Sequence, residues 1–326
     1  MSILPWLQPQ WQHLCDYSSQ NRVPQALLIS GNKGLGKLQL ATQYASALLC
    51  AKPHDNGLAC DHCKSCLLFK AQSHPDFIEL LPEEPGKTIT IGQIRQLISR
   101  LTLKPQFDKY RVIIINPAEL MNNAAANAFL KYLEEPTERT VIILITDKPS
   151  RLAATIVSRC QKLAINQPDN FIINYWLKQH TKQENVSILL NLAQGSPLLA
   201  LQYANENILS IRNDCFEAWM SISRQRIHPV LVAENWFKLS QVHLTNWITT
   251  WLIDLIKCRY PINADDLYNP DLKEHLQSLA KTIEPKRLYN LYDLLLMRQR
   301  LLETTINKQS LFEEILITWA DLNLKK

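Results

Sequence analysis

The apolar run Ala26-Leu27-Leu28-Ile29 leads directly into Gly31-Asn32-Lys33-Gly34-Leu35-Gly36-Lys37-Leu38, after which apolar residues recur at helical spacing. No other stretch restricts the fold as strongly. Only 7 glycines occur in 326 residues, and Gly31, Gly34 and Gly36 are three of them, so the permissive backbone is concentrated where a strand must turn tightly into a helix. The spacing is that of a phosphate-binding loop through its lysine. In such a loop backbone N–H groups at a helix N-terminus cradle phosphate, and Lys37 would reach the terminal group. The next position should carry a hydroxyl for Mg²⁺. Here it is Leu38, which offers no ligand atom.

The second metal contact is missing as well. A P-loop ATPase places an aspartate after its next buried strand, but Val112-Ile113-Ile114-Ile115 is followed by Asn116 and Pro117. Glu119 lies too far along to restore the aspartate's geometry without rearrangement. A loop built for phosphate has lost both protein contacts to the metal.

Strand-like and helix-like segments alternate through the first half. Strands are expected at Gln25–Ser30, Phe77–Leu81, Tyr110–Ile115, Thr140–Ile145 and Gln161–Ile165, with helices between them, which defines a doubly wound α/β domain. Past Pro168 the strand signals stop. Three short helical patterns follow, and from Ile208 longer amphipathic ones take over; in one of these Leu288, Leu291, Tyr292, Leu295, Leu302 and Ile306 form a bundle-type stripe.

Four of the 8 cysteines, Cys50, Cys60, Cys63 and Cys66, fall close together with spacing C-x9-C-x2-C-x2-C. Clustered thiols without a secretory leader argue for metal over disulfides. The set suits a closed, structural Zn²⁺ site, with His54 or His62 as alternatives to Cys50. An iron–sulfur reading is weaker, because no cysteine before proline continues the run.

The net charge is +5, with the excess in the first half. That suits contact with phosphate or an acidic partner without the dense basic stripe that would mark a DNA-binding module. Such a module would also need basic and aromatic residues interleaved as a stacking platform, which the chain lacks. No apolar run is long enough for a membrane span and the start has no basic region ahead of an apolar one, so a cytoplasmic protein is expected.

Ser158-Arg159-Cys160 stands between a short helix and the last strand. By itself Arg159 reads as a solvated charge or the partner of a carboxylate. In order along the chain, however, the altered loop, the four cysteines, Asn123-Ala124-Ala125-Ala126-Asn127-Ala128-Phe129-Leu130-Lys131 leading to Leu133-Glu134-Glu135-Pro136, Ser158-Arg159-Cys160 and Asn307-Lys308-Gln309-Ser310-Leu311-Phe312-Glu313-Glu314 resemble the clamp-loader branch of the AAA+ superfamily, as found in bacterial DNA polymerase III. The resemblance covers essentially the whole chain.

It implies a RecA-like AAA+ nucleotide-binding domain with a zinc-binding insert over residues 1–166, an all-α lid over 167–207 and an all-α collar over 208–326. It implies a heteropentameric ring with motor subunits (gamma/tau) and a delta subunit, meeting primed DNA and the sliding clamp through the complex. Within that family a non-hydrolysing stator uses the arginine of its Ser-Arg-Cys motif in the ATP site of the adjacent motor, which points to Arg159, with Ser158 beside it. The lid arginine that active relatives carry after a Gly-Ser pair is replaced here by Leu198, after Gly195-Ser196-Pro197. The alternative, an active ATPase motor subunit, is disfavoured by Leu38, Asn116 and Leu198. Because Gly31, Gly34, Gly36 and Lys37 all remain, weak binding of ATP or ADP stays open.

Overall fold

The computed structural model describes residues 3–84, 86–102, 104–239, 241–301 and 308–323. It divides into two compact units, residues 1–176 with 196–198, and residues 177–195 with 199–326.

In the first unit a single 3₁₀ turn, Pro5–Leu7, precedes α1 (Gln8–Ser19). There follow β1 (Ala26–Ser30), α2 (Lys37–Leu49), α3 (Lys64–Lys70), β2 (Phe77–Leu80), α4 (Ile91–Leu101), β3 (Arg111–Ile115), α5 (Asn123–Glu134), β4 (Thr140–Thr146), α6 (Ala154–Val157), β5 (Gln161–Ala164) and the start of α7 (Asn170–His180). The five strands form one parallel sheet in the order β2-β3-β4-β1-β5.

Every residue of β3 and β4 is buried, the mark of a sheet covered on both faces. On one face Ile94, Leu97 and Leu101 of α4 and Phe129 and Leu133 of α5 pack with Ile113, Ile115, Ile142 and Leu144 of the sheet. The helices begin where the chain supplies acceptors. Thr90 and Gln93 form a reciprocal capping box at α4, and Asn122 Oδ1 accepts from Ala125 N at 2.8 Å at α5. Helix α5 stops at Glu134 because Pro136 cannot extend it.

The register decides what lies near the loop. Ser30, the last residue of β1, pairs with Thr146 of β4 and Ala164 of β5. The residue after Thr146 is therefore delivered beside the loop at the carboxyl edge of the sheet, where ligands of open α/β folds bind.

The second unit takes the rest of α7 and then α8 (Val186–Leu192), α9 (Pro197–Asn205, apart from its first residues), α10 (Ile208–Ser223), α11 (Pro229–Trp236), α12 (Gln241–Lys257), α13 (Lys273–Ala280), α14 (Pro285–Leu301) and α15 (Lys308–Leu322). Its core holds Trp219 stacked on Trp319 with centroids 3.7 Å apart and planes at 10°, and Trp319 Nε1 donates to Trp219 O at 3.0 Å. Arg212 is wholly buried beside this core and is held by Asp271 at 2.7 and 3.0 Å and by Asn269 Oδ1 at 2.8 Å. Leu288, Leu291 and Leu295 of the expected stripe are buried. Leu302, Ile306 and Asn307 lie outside the described residues.

Candidate functional site: a closed phosphate loop, a cysteine knuckle and an outward arginine

Residues 31–36 link β1 to α2, with Gly34 at φ 80° and Gly36 at φ 87°, left-handed values that favour glycine. A side chain at Gly36 would also collide with its surroundings. A Cβ there would lie 2.6 Å from Leu4 Cδ1 and 3.2 Å from Leu7 Cδ1. The 3₁₀ turn at the start of the chain thus lies against the loop, and Trp6 Nε1 donates to Leu35 O at 3.0 Å.

Lys37 is placed as its motif requires, at the first turn of α2, but it is 5% exposed and turned onto the chain itself. Its ammonium donates to Gly31 O at 2.7 Å and Asn32 O at 2.6 Å, and lies 2.6 Å from Asp147 Oδ1. Three N–H donors meet three acceptors. Ser196 Oγ donates to Lys33 O, Leu198 N to Gly34 O at 3.1 Å, and Leu40 N to Gly36 O at 2.9 Å. Every carbonyl from Gly31 to Gly36 therefore has a donor. Leu198, standing where the lid arginine was looked for, is bonded through its backbone to the loop.

Asp147 was not singled out by the motif reading. Its signal was available: it is the polar residue that directly follows the all-buried β4, which the sheet order places next to β1. Asp147 N donates to Glu119 Oε1 at 3.0 Å, so Glu119 braces the carboxylate that holds Lys37. Leu38 is 39% exposed at the second position of α2, and Asn116 follows β3 with its N–H donated to Leu80 O at 3.1 Å.

The four sequence-selected cysteines come together. Their Sγ atoms all lie within 4.8 Å of one another, with Cys50 to Cys63 at 4.0 Å and Cys60 to Cys66 at 3.9 Å. A tetrahedral zinc site with Zn–S bonds of ~2.3 Å has S···S edges of about 3.8 Å, so the group can hold a metal ion of that size. Neither His54 nor His62 belongs to the set; His62 Nδ1 is 2.6 Å from Cys60 O. Backbone N–H groups point at the sulfurs, Cys60 N to Cys50 Sγ at 3.3 Å and Cys66 N to Cys63 Sγ at 3.5 Å. For Cys63 burial opposes ionisation, but N–H groups of Ala51 and Cys66 outweigh it and bring the thiol down to about 6. For Cys66 and Cys50 the same burial prevails, and both are raised.

The knuckle contains α3, which the cysteine spacing did not suggest, and Cys63 caps it by accepting from Cys66 N. A buried relay ties it to the sheet. Ser65 Oγ donates to Leu49 O at 2.7 Å and accepts from His74 Nε2 at 2.8 Å, while Asp76 N donates to His74 Nδ1 at 3.1 Å.

Ser158-Arg159-Cys160 follows α6. Cys160 is buried in the sheet-and-helix core and its thiol is pushed up to about 11 by desolvation. Ser158 Oγ donates to Thr155 O at 3.1 Å. Arg159 points outward, with its side chain 36% exposed. Nη1 donates to Thr155 O at 2.9 Å and Nη2 to Glu134 Oε1 at 2.5 Å. The plain reading of this arginine, partner of a carboxylate, describes the chain as it stands.

A parallel five-stranded sheet, a P-loop at the carboxyl edge of β1 and a helical second half are the architecture of an AAA+ protein. The family described as DNA polymerase III, delta subunit, matches residues 6–169, and its C-terminal counterpart matches residues 206–321. DNA polymerase III subunit delta' of Pseudomonas aeruginosa is 34% identical over 325 residues, covering 98% of each chain, and that of Escherichia coli is 30% identical over 323 residues, covering 97% of this chain and 95% of its own. The chain belongs to the DNA polymerase III subunit delta' family. A solved DNA polymerase III gamma subunit-related protein from Thermotoga maritima aligns with 95% of this chain and 99% of its own, at 16% identity and a TM-score of 0.47. Among the described residues no helix is long and apolar enough to cross a membrane.

Proposed function

We propose that this chain is the non-hydrolysing stator of a DNA polymerase III clamp loader and that Arg159 serves as an arginine finger in the ATP site of an adjacent motor subunit. The division into a nucleotide-binding-like domain (1–166), a lid (167–207) and a collar (208–326) belongs to the same proposal. So do the partners: gamma/tau motor subunits and a delta subunit in a heteropentameric ring that loads the sliding clamp onto primed DNA in the cytoplasm. The observation that carries it is the Lys37–Asp147 contact, because an ammonium engaged on its own chain's acceptors is not directed at a triphosphate.

Two further features agree. The positions for Mg²⁺ ligands are Leu38 and Asn116, and the guanidinium of the Ser-Arg-Cys motif is partly exposed, with its side chain 36% accessible. A planar guanidinium can stabilise charge on a transferring phosphoryl group in a way a lysine cannot reproduce, and such fingers contribute about 10³ to 10⁵ in rate in GTPases. We assign Zn²⁺ to Cys50, Cys60, Cys63 and Cys66, in a structural role.

The test is stimulated ATP hydrolysis and clamp loading by the reconstituted complex containing Arg159→Ala or Lys37→Ala. Arg159→Ala is expected to assemble normally and to lower turnover, without abolishing it, because the chain completes one of several ATP sites. Lys37→Ala is expected to leave turnover unchanged. The reverse pattern would show the chain acting through its own loop and would end the stator reading.

A further inference from the structure

The last residue of α5 and the arginine after α6 are 25 positions apart in the chain, yet their side chains meet at 2.5 Å. Arg159 is thereby held at two points, by Thr155 O on Nη1 and by Glu134 Oε1 on Nη2. A guanidinium has five N–H donors, so these two bonds leave three for another acceptor. We propose that Glu134 is a positioning residue for Arg159: it keeps the guanidinium in one pose at the domain edge, with the remaining N–H groups available to the γ-phosphate of a nucleoside triphosphate on a neighbouring subunit. This inference rests on the finger role given to Arg159 above.

The opposite role, a brake that withholds the arginine, does not fit the magnitudes. The pair is open to water, with side chains 36% and 53% exposed, and exposed pairs of this kind shift an equilibrium by a factor of about five at most. A single carboxylate at that strength cannot compete with the several charges of a triphosphate. It is sufficient, however, to bias a side chain with many rotamers toward one of them. Arginine loses much rotamer freedom when fixed, and a pose set in advance removes that cost from the step in which the neighbour's phosphate arrives.

The location makes the bias specific. The backbone of Glu134 is placed by the end of α5, which stops ahead of Pro136 two residues on, and Thr155 O belongs to α6, which is followed by Cys160, a residue of the buried core. Both acceptors are thus carried on backbone set by helices of the first unit.

Two measurements test the proposal on the full chain. In the reconstituted complex, Glu134→Ala should reduce the Arg159-dependent part of ATP turnover two- to five-fold in kcat, a factor of about the size an exposed pair sets, with KM for ATP unchanged. Glu134→Gln, which keeps an acceptor at the same reach, should recover most of it. In the isolated chain, the NMR signals of the Arg159 guanidinium should show greater side-chain motion in Glu134→Ala than in wild type or Glu134→Gln.

Turnover equal to wild type in Glu134→Ala, while Arg159→Ala is slow, would overturn the positioning role and leave the finger intact. Turnover faster than wild type would overturn it in favour of a brake. If Arg159→Ala itself matches wild type, the finger reading fails and the role of Glu134 falls with it. Unchanged guanidinium motion in Glu134→Ala would also count against the proposal, independently of assembly.

Discussion

Lys37 Nζ lies 2.6 Å from Asp147 Oδ1, and this pair closes the phosphate loop from within. A terminal phosphate would have to compete with this carboxylate for the lysine. Asp147→Asn should therefore have two linked effects. Leaving a buried ammonium without its counter-charge costs about 1–3 kcal/mol of stability, and the freed lysine gains affinity for ADP or phosphate by about tenfold or more. Added ADP should then return part of the lost stability, since a ligand that binds only the folded state raises it by mass action. Calorimetric titration and denaturant melts of both forms check this; equal ADP affinity in the two would show that Asp147 is not what closes the loop.

The purified chain should turn over no ATP above background, with or without Mg²⁺. Steady hydrolysis that vanishes in Lys37→Ala would contradict this, because a contaminating ATPase would not respond to a change in this chain.

The knuckle should carry one zinc per chain, measured by elemental analysis of protein prepared without chelator. Removing the metal, or the double substitution Cys60→Ser and Cys63→Ser, should loosen residues 50–70 to proteolysis and leave the sheet folded. Full zinc occupancy in the double variant would refute the ligand assignment.

Below neutral pH the seam between knuckle and sheet should weaken. Burial lowers the pKa of His74 from its usual 6.5, against the opposing pull of Asp76. As pH falls below that value the unfolded chain takes up a proton that the folded chain resists, so stability is present above 6.5 and is lost as pH drops toward the folded value. The relay explains the resistance, since Nδ1 already accepts from Asp76 N and has no room for a proton. Denaturant melts between about pH 7.5 and 5 should show this slope, and His74→Gln should reduce it.

In the second unit Arg212→Ala should cost about 3–5 kcal/mol, because Asp271 and Asn269 would lose their buried partner. Trp319→Ala should cost a similar ~3–5 kcal/mol by opening a cavity against Trp219. Chemical denaturation measures both, and a loss below 1 kcal/mol in either would mean the core repacks around the gap.

What the sequence displayed was what is local. Strand β1, its glycines and α2 are contiguous, β3 and β4 are unbroken apolar runs, and the cysteines fall within one short segment, so each left its signature in neighbouring positions. The pairing of Lys37 with Asp147 was hidden because it arises from β4 lying beside β1, with about 110 residues between them in the chain. The contacts of Leu4, Trp6, Ser196 and Leu198 with the loop were hidden for the same reason. Helix α3 was obscured by its length, since seven residues give too few turns for a periodic pattern. Glu134 stood in a quoted motif without a stated use, because only the meeting of α5 and α6 gives it one.

The six loop carbonyls from Gly31 to Gly36 are all taken by donors of the same polypeptide, from Trp6 and Lys37 to Ser196 and Leu198. The bend between β1 and α2 is therefore braced on its acceptor side without any ligand, so its shape should persist when nucleotide is absent.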